Sequence, residues 1–266
     1  MERSSWQFNV VMMLAWTLVA FLVLPMFVVV PVSVTDQRYL SFPDEGISFQ
    51  YYWKMVTDPF WRDAILASLR VSVLSALFAT ILGTLCAIGC WRLTSRFSEF
   101  VRLLMLTPII VPGIVHALAF YRMWIQLGLI DTYTGVILTH TLIGMPYVMI
   151  AVSASLANLD IRLEQAARSL GASMSQTVRL VIIPCIMPGI ISGAVFAFVI
   201  SWDELVILLF ITSRAIQLLP KSIWDGINDN IDPTVAAVAT AMIAFTLLIL
   251  LGQILVRRRT AARAAP

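Results

Sequence analysis

Charge is scarce in this sequence. Of its 266 residues only 12% are charged while 60% are hydrophobic, whereas a soluble domain carries roughly 25% charged and about 45 to 50% apolar residues. Such a chain cannot cover a water-facing surface, and its mean hydropathy of +0.90 makes lipid its solvent. Cysteine is also scarce: Cys86, Cys90 and Cys185 form no disulfide framework, and the first two, four apart on one helix, read as apolar packing. The only histidines, His116 and His140, fall on different spans without ligand spacing around them, so they read as satisfied or pore-facing side chains rather than a metal set. There is no H-E-x-x-H and no G-x-x-x-x-G-K-[ST], which argues against an intramembrane zinc enzyme and against nucleotide binding by that loop.

The spaces between the charges locate the spans. Uncharged intervals run over 4–35, 71–91, 132–159, 180–202 and 233–256, and a sixth, between Arg102 and Arg122, is just long enough. About 20 helical residues cross a hydrocarbon core of about 30 Å. Backbone groups in lipid must be bonded within the segment or around a closed barrel, and runs such as VMMLAWTLVAFLVLPMFVVVPV show no strand alternation. The expectation is an all-α membrane protein of six transmembrane helices, near 10–32, 65–90, 102–122, 134–156, 186–211 and 234–256. The first apolar run is too long for a signal-peptide core, and VVVPVS offers no small-x-small cleavage site, so an uncleaved helix is expected. Pro25, Pro108, Pro112 and Pro146 are expected to kink their spans.

With both termini placed in the cytoplasm, the inner side holds eleven of the 18 basic residues against four acids, Glu2, Glu99, Asp160 and Glu164. That asymmetry satisfies the positive-inside rule, with Arg257, Arg258 and Arg259 as an anchor for the last helix. The outer stretch 33–64 carries Tyr39, Phe42, Phe49, Tyr51, Tyr52, Trp53, Phe60 and Trp61, either an interfacial aromatic belt or a docking surface for an external partner. The inner stretch 157–185 contains ANLDIRLEQAARSLGASMSQTVRLVIIP. Asp160 can cap a helix, Leu163, Ala166, Ala167 and Leu170 supply small and apolar groups, and Gly171 can leave helical geometry before a second short helix from Ser173 to Pro184.

This loop resembles the EAA signature of binding-protein-dependent, MetI-like ABC import permeases. Aligned on Gly171, the chain has Gln165, Ala166 and Ala167 before it and Val181, Ile183 and Pro184 after it; Gln165 stands where the family has Glu, with Glu164 one position earlier. The resemblance extends from about residue 50 to 256 through TPIIVPGIV, LTHTLIGMPYVM, PCIMPGIISGAVFAFVISWDELVILLF and LPKSIWDGINDNIDPTVAAVAT, and looks like the spermidine and putrescine (polyamine and opine) branch. It implies a single permease domain over 1–266 in a bacterial inner membrane. It implies no catalysis and no cofactor in this chain, with ATP and Mg held by a separate ATPase dimer docked on Glu164, Gln165, Ala166, Ala167, Leu170, Gly171 and Pro184. It further implies a second, different permease subunit and an external solute-binding protein; lipid surrounds the chain, and no nucleic acid is involved.

The fifth span carries the other candidate site, Trp202, Asp203 and Glu204. On a continuous helix Gly189, Gly193, Ala197, Ile200 and Glu204 fall within about 80° of one another, so Glu204 would extend a GxxxG packing seam, with Asp203 about 100° away. Two carboxylates in a span are costly facing lipid, so they are expected to line a water-filled path for a cationic solute or to serve as a structural or gating site. An opine or an amino-acid derivative is the alternative solute. The rival mechanism is an ion-coupled secondary transporter with these two acids as its ion sites.

Overall fold

The computed structural model describes residues 5–44, 46–93, 95–228 and 232–264, and all regular structure among them is helical. Four continuous spans agree with the reading of the sequence: α1 (Ser5–Val32), α3 (Pro59–Leu93), α6 (Tyr133–Ala157) and α12 (Thr234–Ala264), with a short α2 (Gln50–Thr57) preceding α3. At 35 residues α3 rises roughly 52 Å, more than a hydrocarbon core of about 30 Å, so its charged ends stand outside lipid. The side chains of Arg257, Arg258 and Arg259, expected to anchor α12, lie outside the described residues.

The third span corrects the expectation of one helix over 102–122. It is a broken pair, α4 (Arg96–Ile110) and α5 (Gly113–Leu127), meeting at 106°. Val111, which precedes a proline, is extended with ψ 132°, and Pro112 follows with ψ 141° as the N-cap of α5. The proline ring disfavours helical geometry in the residue before it, so this one breaks the span, whereas Pro108 and Pro146 remain inside helices.

The fifth span differs at both ends from 186–211. A helical run of 30 residues extends from Met174 to Asp203: α8 (Met174–Thr177), a π turn (Val178–Ile182) and α9 (Ile183–Asp203). Pro184 has no N–H to give to a carbonyl four residues back; the wider turn before it, closed by the Ile183 N–H on the Val178 carbonyl, lets the helix pass through. The second short helix expected to end at Pro184 is thus the root of the span. At the far end Glu204 is extended with ψ 118°, and a separate α10 (Leu208–Ile211) follows. Glu204 therefore does not continue the glycine seam.

The chain divides into two compact units. The first comprises Met1–Arg62 and Ile223–Phe245. In it Tyr51 is buried and donates to the Gln37 carbonyl, the Tyr52 and Ser33 hydroxyls bond at 2.7 Å, and Lys54 of α2 pairs with Asp232, which also accepts from the Thr234 N–H at the start of α12. Of the aromatic stretch, Tyr39, Phe42, Phe49, Trp53 and Phe60 are exposed. None of the apolar window of α1 is buried.

The second unit comprises Asp63–Ser222 and Thr246–Pro266 and is built on α6, most of whose apolar window is buried. α9 packs along α6 through the expected GxxxG pair. A Cβ at Gly193 would lie 2.8 Å from the Val148 Cα, and one at Gly189 would collide with Ser155 and the Ala151 carbonyl. Only bare backbone allows this approach. One apolar cluster, with Val148, Met149, Val152, Ile182 and Ile186, fills the α6–α9 contact; another, with Ala117, Trp124, Val136, Ile207, Leu208 and Ile211, joins α5, α6 and α10.

Candidate functional site

Both regions singled out from the sequence lie in the second unit, at opposite ends of α9. Beyond α6, the Asp160 carboxylate accepts from the Arg162 N–H at 2.9 Å and starts α7 (Ile161–Ser169). Gly171 ends it with φ +84°, a conformation that side-chain-bearing residues rarely adopt. Ser173 then caps α8 in a reciprocal pair with Gln176. The expected helix-turn-helix is therefore present, with a defined polarity. Leu170 is 89% exposed, and Ile161, Leu163, Gln165, Ala166 and Met174 are exposed with it, while Ala167 is half-buried.

Glu164 faces the other way. It is buried, and its Oε1 accepts from Arg92 Nη2 at 2.7 Å, an ion pair joining α7 to the last turn of α3. No local pattern marks this contact, since the two residues are 72 positions apart. The side chains are only 20% and 10% accessible, so removing either would leave a largely desolvated charge. Pro184 is exposed at the start of α9.

At the far end of α9 the three residues of the candidate path part ways. Trp202 is buried and stacks on Phe198 with centroids 5.9 Å apart. Asp203 is exposed and its carboxylate forms no hydrogen bond or ion pair with any described residue. Glu204 turns its Oε1 onto the Ile207 N–H at 2.9 Å, so its carboxylate satisfies a backbone donor freed where the helix breaks. One residue before the run, Ser201 Oγ lies 2.8 Å from His140 Nδ1 on α6, both side chains buried. Of the two readings left open for His140, this contact gives it a partner rather than a pore-facing position.

A feature absent from the reading of the sequence closes this end. Asp131, between α5 and α6, has φ +55° and accepts four backbone N–H bonds, from Ser213, Arg214, Ala215 and Ile216, at 2.8–3.1 Å. Burial pushes its carboxyl up, but the four donors outweigh that and hold it below the usual aspartate range. Asp is among the few residues that tolerate a positive φ, but nothing in LGLIDTYT marks its distant partners.

The family model described as "Binding-protein-dependent transport system inner membrane component" matches residues 79–261. The spermidine/putrescine transport system permease protein PotC of Escherichia coli (strain K12) is 28% identical over 239 residues, covering 90% of each chain. The putrescine transport system permease protein PotI of the same organism is 28% identical over 252 residues, 91% of this chain and 86% of that one. A solved bacterial ABC transporter involved in import of the acidic polysaccharide alginate superposes with a TM-score of 0.70 at 16% identity, covering 97% of this chain and 98% of its counterpart.

Proposed function

Because the chain belongs to the family of binding-protein-dependent transport system inner membrane components and is a non-catalytic, multi-pass permease subunit of an ABC importer, we propose that the whole chain, 1–266, forms half of a path for polyamines and is driven through the loop 157–185. The observation that carries this reading is the unbroken helical run from Met174 to Asp203. Over 30 residues it reaches roughly 45 Å, the full depth of the membrane. One end is rooted in an exposed apolar knob centred on Leu170, and the other ends at the acidic run.

The knob, with Gln165, Ala166, Ala167 and Gly171 along its outer side and Pro184 at the root of the lever, docks in a groove of an ATPase dimer that binds ATP and Mg. Glu164 acts from behind, fixing the knob to α3 through Arg92. A second, different permease subunit completes the path, and a periplasmic binding protein delivers the solute. Both termini lie in the cytoplasm, a placement supported by the excess of basic residues on the loop side. ATP binding draws the two knobs together, and α9 carries that movement to Trp202 and Asp203.

Within the acidic run, Asp203 attracts the cation, since its carboxylate has no partner among the described residues, and Glu204 is structural, since it caps the break. The PotC and PotI names point to spermidine and putrescine as solutes. Uptake of radiolabelled spermidine by membranes bearing the complete transporter tests the assignment. Asp203→Asn is expected to lower uptake by about tenfold or more, the equivalent of one lost charge-assisted contact. Unchanged uptake would remove Asp203 from the path.

A further inference from the structure

His140 is buried within α6, only 1% exposed, about 10 Å from the start of that helix. Its Nδ1 is engaged by Ser201 at 2.8 Å, but its Nε2 has no hydrogen-bond partner among the described residues. An orphaned buried nitrogen costs at least as much as one hydrogen bond returns. A leucine or phenylalanine would fill the space without that cost, so stability does not explain the histidine.

Its placement offers another reason. Ser201 is two residues before Asp203, where α9 stops, and beyond that point the backbone is extended. The next residue of α6 toward its start, Thr139, accepts from Trp124 Nε1 at 2.8 Å and so holds α5, the second half of the broken span. Consecutive residues of α6 thus grip α5 and α9, each of which adjoins a break in the helical backbone, α5 at its start and α9 at its end.

We infer that His140 is a positioning residue for the Trp202–Glu204 run: its Nδ1 contact with Ser201 fixes the last turn of α9 against α6 and thereby sets where Asp203 stands. This rests on the reading of Asp203 as part of the solute path, but the placement it describes can be measured separately. An asparagine puts its amide near the place of Nδ1 and a glutamine near that of Nε2, so the two substitutions distinguish the bond from the bulk of the side chain.

The test places a thiol at the run, Asp203→Cys, in the full chain assembled with its transporter partners in membranes, with Cys86, Cys90 and Cys185 replaced by serine. The rate of modification by a charged methanethiosulfonate is then read in these membranes after the ATPase is stripped off, so that the knob is uncovered, with Leu170→Cys as a remote control. His140→Gln, His140→Leu and Ser201→Ala are expected to change the rate at position 203 by about fivefold, near the net worth of one hydrogen bond. His140→Asn should stay close to the parent, and position 170 should not respond.

Equal rates at 203 in all variants would overturn the inference, as would parallel changes at 203 and 170, or His140→Asn behaving like His140→Gln. Should the His140 variants fail to assemble, Ser201→Ala, which removes one oxygen, decides alone: a shift confined to 203 supports the inference and no shift overturns it. If Asp203→Asn leaves uptake unchanged while the labelling shift persists, the path reading falls and the positioning stands.

Discussion

Asp131 shows how one carboxylate can replace a stretch of regular structure. Residues 213–216 have no helix or strand to pair their N–H groups, and the two oxygens of Asp131 accept all four. The bonds favour the ionised form by more than burial disfavours it, so the folded chain binds the Asp131 proton less tightly than the unfolded chain does. Stability from this site is therefore complete above the unfolded aspartate value of about 4 and is lost as pH falls through the lower folded value. Asp131→Asn, which offers one acceptor and turns a donor toward the same N–H groups, is expected to lower stability by about 1–2 kcal/mol at neutral pH. In detergent-solubilised protein the gap in melting temperature between the two should hold constant above about pH 5 and narrow as pH falls below about 4. A gap that widened on acidification would contradict the assignment.

Among the elements, the knob formed by α7, Gly171 and α8 separates fold from function cleanly. Leu170 is almost fully exposed, so Leu170→Glu loses no packing in the subunit and should alter its melting temperature negligibly, within about 0.5 kcal/mol of stability. A charge there would nevertheless have to be buried on docking, so solute-stimulated ATP hydrolysis by the assembled transporter should fall at least about tenfold. Normal coupling in that variant would exclude the knob from the ATPase contact. Most of these elements were legible in the sequence: charge-free intervals marked the continuous spans, and Asp160, Gly171 and Ser173 punctuated the loop. The breaks were less so. Pro112 signalled a kink, but the 106° turn follows from an extended Val111 combined with apolar packing of α5, which no local pattern encodes. The end of α9 at Asp203 has no proline or glycine to mark it; Glu204 capping Ile207 and the packing of Ile207 and Leu208 beside Trp124 replace the lost helical bonds. Contacts made across 61 to 85 positions, such as His140 with Ser201 and Asp131 with Ile216, are tertiary facts with no periodic signature.

For the whole molecule, the surface left open is the main physical constraint. No part of the apolar window of α1 is buried, and Asp203 at the end of α9 faces no partner among the described residues. A carboxylate at the end of a spanning helix with no partner among the described residues of its subunit is a costly arrangement in lipid. Half a path accounts for this, and it separates an ATP-driven permease pair from an ion-coupled transporter that would work by itself. Reconstituted alone in vesicles, the chain is expected to accumulate no spermidine under an imposed proton or sodium gradient. Combined with its ATPase, the second permease and a spermidine-loaded binding protein, it should accumulate the solute only with ATP and Mg inside the compartment that faces the knob. Replacing the binding protein by one specific for another solute then locates selectivity. If the cation is chosen only at the receptor, uptake follows the receptor; if Asp203 contributes, an anionic solute is carried poorly by the parent chain, and Asp203→Asn raises its rate by about tenfold while lowering that of spermidine. Accumulation by the chain alone, indifferent to ATP, would instead make Asp203 and Glu204 ion sites and overturn the division of labour proposed for α9.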